Sequence, residues 1–207
     1  PLLSVGAVKP RQRSRLDLNG RWRAARERTE EWVPATVPGC IHTDLLAAGK
    51  IPDPFYRDNE KAVQWVGEAN WVFQRTFRVP AGFLKHDRIL LRCEGLDTFA
   101  VIRINGQEVG RADNMFRLWE FDARPALKAG DNTIEITFSS PLPYMKERQA
   151  KRVLYEWAAA HEPKGRAWVR KEPCNFGWDW GPVLVTCGIW RDISLEAFDL
   201  ARLDGVL

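Results

Sequence analysis

Apolar and polar residues alternate strictly in Thr133-Ile134-Glu135-Ile136-Thr137-Phe138. That period of two puts Ile134, Ile136 and Phe138 on one face of a β-strand. Phe99 to Ile104 is apolar and β-branched and runs into Asn105-Gly106, a residue pair that favours a two-residue hairpin turn. Trp71 to Val79, Arg88 to Cys93, Phe116 to Phe121 and Ile189 to Phe198 read as further strands. Short strands separated by turn residues predict an all-β antiparallel sandwich rather than a βαβ arrangement. Two segments break the pattern. Ile41 to Ala48 predicts a short helix, stopped by Gly49 and by Pro52 beyond it. Met145 to Ala160 predicts a second helix, with Ala150, Val153, Leu154, Trp157 and Ala158 on one face and the pair Glu147 and Lys151 on the other. Pro163 and Gly165 should end it. This insertion precedes a tryptophan-rich run and is expected to prop it.

A chain of 207 residues, 45% hydrophobic and 28% charged, is long enough for one large domain with a substantial core. Its net charge of +4 is interleaved, as in Arg23, Arg26, Glu27, Arg28, Glu30 and Glu31, so no nucleic-acid partner is expected. No apolar run approaches a membrane span, and no membrane partner is expected. The boundaries read as a polar leader over 1–16 (with Arg11, Arg13 and Arg15), the sandwich over 17–198, and an exit segment over 199–207. Cys40, Cys93, Cys174 and Cys187 show no C-x-x-C spacing. Cys174 and Cys187 flank the tryptophan run and could meet across it, but free thiols are the expectation in a chain with an ample core. His42, His86 and His161 lie far apart and read as surface or capping residues. No metal site and no cofactor are expected, since phosphate-binding glycine loops, nucleophile elbows and zinc motifs are missing.

The 10 tryptophans change the picture. In Asn175-Phe176-Gly177-Trp178-Asp179-Trp180-Gly181-Pro182 one carboxylate stands between two indoles, bracketed by turn residues. Indole faces stack on the C–H side of a pyranose and a carboxylate accepts from its hydroxyls, so Trp178 and Asp179 are candidate sugar-binding residues. On residues alone, a tryptophan-rich core corner whose Asp closes a turn stands beside that reading. Glycoside hydrolysis needs two carboxyl groups. Glu94, Glu108, Glu120 and Glu172 sit in or beside strands and read as solvent-facing, and no two acids stand out as a catalytic pair.

Longer motifs carry a resemblance. Leu18-Asn19-Gly20-Arg21-Trp22, the segment Val37-Pro38-Gly39-Cys40-Ile41-His42-Thr43-Asp44 running on to Phe55, Asn59-Glu60, Val63-Gln64-Trp65-Val66, the tryptophan run and Gly188-Ile189-Trp190-Arg191 are involved. Together they resemble the amino-terminal domain of β-mannosidases of glycoside hydrolase family 2. The resemblance implies a galactose-binding-like jelly-roll with short helical insertions, packed on a (β/α)₈ barrel that carries both catalytic glutamates. No position of this chain matches either glutamate, so no catalytic residue is expected here. By resemblance the parent is a retaining exo-β-mannosidase acting on terminal β-mannosyl residues of oligosaccharides. Trp178 would then wall the mannose pocket and Asp179 would hold hydroxyls. Cys40, His42 and Asp44 are expected to cap and pack a helix start, Trp190 to be an aromatic core residue, and Arg191 to make an ion pair or interdomain contact. Rival readings are an exo-β-glucosaminidase of the same family and a free-standing carbohydrate-binding module.

Overall fold

A computed structural model describes residues 13–157 and 162–203. The chain lays down β1 (Ser14–Asp17), β2 (Gly20–Arg26) and β3 (Val33–Val37) before helix α1 (Ile41–Ala47). Helix α2 (Gln64–Glu68) precedes β4 (Trp71–Val79). Next come β5 (Arg88–Cys93), β6 (Leu96–Asp97), β7 (Phe99–Ile104), β8 (Gln107–Ala112), β9 (Trp119–Asp122) and β10 (Gly130–Ser139). Helix α3 (Pro141–Lys151) leads to the hairpin β11 (Phe176–Trp178) and β12 (Gly181–Val183), and β13 (Gly188–Ile189) and β14 (Ile193–Phe198) follow.

Two antiparallel sheets make the predicted sandwich. One is ordered β3-β2-β4-β10-β7-β8 and the other β1-β14-β5-β9. Alternation works as read: Ile134, Ile136 and Phe138 of β10 are fully buried, and Phe138 meets Phe73 edge-on at 5.5 Å. Each such side chain removed from water contributes roughly 1.5–3 kcal/mol. Asn105 and Gly106 take φ of 51° and 81° and join β7 to β8, the turn their sequence predicts. Pro34 sits in β3, an edge strand, where its missing N–H costs no ladder bond on the open side.

The motifs around Gly39 and Gly188 are stitched together. Gly39 N–H donates to Ile189 O and Ile41 N–H to Cys187 O, each at 2.9 Å. A Cβ on Gly188 would lie 2.7 Å from Gly39 O and 2.9 Å from Cys40 Cα, so the close approach of the two backbones requires glycine there.

Several expectations need correction. Helix α3 starts earlier than the periodicity suggested, because Ser140 caps it, accepting from Leu142 N–H at 3.3 Å, with Pro141 in its first turn. It ends at Lys151, and Val153 and Trp157 are exposed rather than on a buried face. The Gln149 side chain explains the stop, since it takes both the N–H (3.2 Å) and the C=O (2.9 Å) of Leu154 and so competes with helical bonding. Ala158 and His161 lie outside the described residues. The expected strand over 116–121 begins only at Trp119, because the Asn114 side chain closes a turn onto Phe116 N–H. The expected strand over 189–198 is two pieces, β13 on β6 and β14 on β5. Cys174 and Cys187, by contrast, are both free thiols, as expected.

His42 and His86 are buried, not on the surface. His86 bridges Asp199 through Nδ1 and Ser14 through Nε2, both at 3.2 Å, tying the two ends of the described chain together. Arg13 reaches Glu196 at 2.6 Å and Arg202 reaches Glu196 at 3.3 Å, so both flanks lie against β14. Arg191 lies over Trp190 at 4.1 Å, a cation–π contact, and makes no ion pair among the described residues. Trp190 itself is half-buried and donates from its indole to Met115 O at 3.1 Å.

Two groups of α1 titrate abnormally. Burial, and then the charge of Lys171, push the His42 imidazole from 6.5 down to about 4. Burial raises the Asp44 carboxyl from 3.8 to about 6, opposed by a bond from Thr36 N–H at 3.0 Å. The signs differ. The His42 contribution to stability is present above pH 6.5 and is lost as pH falls through 4. The Asp44 contribution is present below pH 3.8 and is lost as pH rises through 6. The two therefore offset each other over most of the range between. Replacing His42→Gln should remove one arm. Measured by urea unfolding, the stability of the variant relative to wild type should rise by up to about 3 kcal/mol from pH 6.5 to pH 4. A difference that stays constant across that range would contradict the assignment.

Candidate functional site

The tryptophan run forms the hairpin β11–β12. Phe176 pairs with Val183 and Trp178 with Gly181, which leaves Asp179 and Trp180 as the two tip residues. The hairpin stands on a small apolar cluster of its own, made by Phe176, Val183, Val185, Val169 and Met145. Met145 belongs to α3, so the helical insertion does prop the run, through its first turns rather than through the face expected.

Side chains then fix the hairpin laterally. Glu60 Oε1 accepts from Val183 N–H at 2.7 Å, and Gln64 Nε2 donates to Val183 O at 2.8 Å. Arg166 donates to Gly177 O at 3.4 Å and pairs with Glu162 at 3.5 Å while its guanidinium lies 5.2 Å from the Trp178 ring centre. Gly177 has φ of 99°, and a Cβ there would lie 2.7 Å from Val183 Cγ2, so both conformation and space demand glycine.

Beneath the hairpin lies a buried ion pair. Lys171 Nζ pairs with Asp97, with side chains 0% and 4% exposed, and also donates to Thr186 O at 2.8 Å. Thr98 donates its hydroxyl to the same carboxylate. Lys171 and Thr186 are the roots on either side of the hairpin, so one ammonium joins both to β6.

The tip itself is open. Trp178 is 38% and Trp180 is 70% exposed, with ring centres 5.0 Å apart and planes at 40°. Asp179 is exposed and makes no hydrogen bond or ion pair to the described residues. A cleft of about 360 Å³ separates the tip from the turn at Pro54, Phe55 and Arg57. Two carboxylates line this cleft, Glu60 and Asp179. Glu60 holds Val183, whereas Asp179 is bonded to none of the described residues.

Residues 22–191 match the family described as glycosyl hydrolase 2 galactose-binding domain-like. The chain belongs to this family. Within it, the chain is 36% identical over 196 residues to a β-mannosidase of Bos taurus, covering 91% of this chain and 22% of the relative. It is 39% identical over 174 residues to β-mannosidase B of Aspergillus terreus, covering 82% of this chain and 20% of the relative. The crystal structure of a β-D-mannosidase from Dictyoglomus thermophilum superposes with a TM-score of 0.85 at 42% identity, over 92% of this chain and 23% of that one. The chain therefore spans about a fifth to a quarter of the length of these relatives.

Sequence reasoning singled out Trp178 and Asp179, and the structure places Trp178 in the last pair of β11 and Asp179 at the hairpin tip, both lining the cleft. It did not bring the turn at 54–60 to the opposite wall, because no local pattern encodes a contact between segments more than a hundred residues apart. Lys171 and Asp97 were also missed; neither breaks a periodicity strongly enough to be noticed.

Removing one partner of a buried pair strands the other charge. Lys171→Met is expected to cost about 3–5 kcal/mol, and adding Asp97→Asn should recover most of the loss. Chemical denaturation of the three variants checks this; a single Lys171→Met change that costs under about 1 kcal/mol would remove the ion pair from its supporting role.

Proposed function

We propose that this domain is the sugar-contacting amino-terminal part of a retaining exo-β-mannosidase that releases terminal non-reducing β-D-mannosyl residues. The observation that carries the reading is the unpartnered Asp179 carboxylate, held between two exposed indoles at the rim of a cleft, in a domain of this family. The names of the relatives support the substrate class. In the closed site Trp178 walls the sugar from one side while Asp179 accepts from its hydroxyls. Retaining hydrolysis needs two carboxyl groups about 5–5.5 Å apart, one acid/base and one nucleophile. Of the two carboxylates that line the cleft, Glu60 holds Val183 and Asp179 is given to the sugar hydroxyls, so both catalytic carboxyls are assigned to the barrel that the resemblance implies.

Two outcomes follow. The domain by itself should release no aglycone from an aryl β-mannoside above the rate in buffer. Turnover that vanishes on mutating one Glu of this chain would contradict the division of labour. In the full-length protein, Asp179→Ala should lower kcat/KM for that substrate by roughly tenfold to a thousandfold, about 1.4–4 kcal/mol of transition-state binding. Because Asp179 bonds to none of the described residues, Tm should stay within about a degree of wild type. A turn-closing Asp would do the opposite, lowering Tm and sparing kcat/KM, and that result would sink the substrate contact.

A further inference from the structure

The cleft has a second wall, and one residue on it has unusual geometry. Arg57 adopts φ of 54°, the left-handed region that a non-glycine side chain enters only at a conformational cost. Among the described residues no hydrogen bond or ion pair of the side chain compensates for that. Its guanidinium lies over the Tyr56 ring at 5.1 Å, yet it forms no hydrogen bond or ion pair with the described residues. It lines the same cleft as Asp179. Strained backbone of this kind clusters at ligand-binding sites, where the surrounding structure holds it in place.

The two walls are also mechanically joined. Glu60, three residues after Arg57, accepts from Val183 N–H at 2.7 Å, and Gln64 grips Val183 O at 2.8 Å. Val183 is the partner of Phe176 at the base of the hairpin. The turn that carries Arg57 is therefore bonded to the base of the hairpin that carries Asp179. One is a pure donor with five N–H groups in a planar fork, and the other is a pure acceptor. Opposite charges that share a cleft without pairing leave room for a molecule that satisfies both. A sugar hydroxyl both donates and accepts, so neighbouring hydroxyls of a pyranose match both groups.

We infer that Arg57 is a second substrate-contacting residue, donating to one hydroxyl of the bound sugar while Asp179 accepts from another. This rests on the reading of the cleft as a sugar site given under Proposed function. Arg57 then selects for a hydroxyl at its own position on the ring, and the strained turn serves to aim the guanidinium into the cleft.

The test uses the full-length protein with an aryl β-mannoside and its monodeoxy analogues, comparing wild type with Arg57→Gly, Arg57→Met, Arg57→Lys and Asp179→Ala. Arg57→Gly relieves the backbone strain and removes the guanidinium, so Tm should hold or rise while kcat/KM falls by about tenfold or more. Arg57→Met should lose a similar factor on the parent glycoside and lose nothing further on the one deoxy analogue that lacks the partner hydroxyl. Arg57→Lys keeps the charge without the fork and should fall between. Wild-type kcat/KM in both Arg57→Gly and Arg57→Met, with Asp179→Ala impaired, would overturn the role of Arg57 and leave the hairpin reading intact. An equal loss on every deoxy analogue would also overturn it, since Arg57 would then be acting only through the shape of the turn. Wild-type values in all variants including Asp179→Ala, or no turnover by the wild-type protein, would overturn both.

Discussion

The architecture around the hairpin hangs on the ammonium of Lys171, buried completely and held by the Asp97 carboxylate and the Thr186 carbonyl. Lys171 enters just before the hairpin and Thr186 just after it, while Asp97 belongs to a strand that also pairs with β13. Burying two charges is costly in itself, and an apolar replacement of similar shape is often as stable. The value of the pair here lies in register. An apolar contact tolerates sliding, whereas an ammonium with two fixed acceptors defines where both hairpin roots sit. A segment with short strands and a small cluster of its own gains its position from that constraint.

Above this anchor, order passes outward in steps. Phe176 and Val183 close the apolar floor, Glu60 and Gln64 clamp the β12 side, and Arg166 supports Trp178 from below. Only at Asp179 and Trp180 does the network stop. Polar groups left open at the end of a fully braced element are pre-organised for a ligand, because little further ordering is lost on binding. The sandwich thus acts as a bracket that carries a carboxylate and two indoles to the rim of the cleft.

Much of the fold was legible in the sequence. Strict alternation located β10, and the apolar stretches over 71–79, 88–93 and 99–104 coincide with β4, β5 and β7, since these strands bury one face against a single core. The Asn105-Gly106 turn was readable because only a few residue pairs take two positive φ values. Reading failed where a side chain overrode local preference, as when Gln149 captured Leu154 and ended α3, or Asn114 closed a turn before β9. At the site, turn chemistry around Asp179 was local and visible. The opposing wall at Arg57, the Glu60 clamp and the Lys171–Asp97 pair depend on contacts between distant segments, which no periodicity records.

We propose that the domain holds Asp179 against a sugar. A crystal structure of the full-length protein with a mannose-configured inhibitor tests it most directly. The account predicts an Asp179 carboxylate oxygen within about 2.5–3.2 Å of a sugar hydroxyl, with the Trp178 ring beside the pyranose. A bound sugar that leaves Asp179 facing solvent, or bonded only to a neighbouring domain, would contradict it.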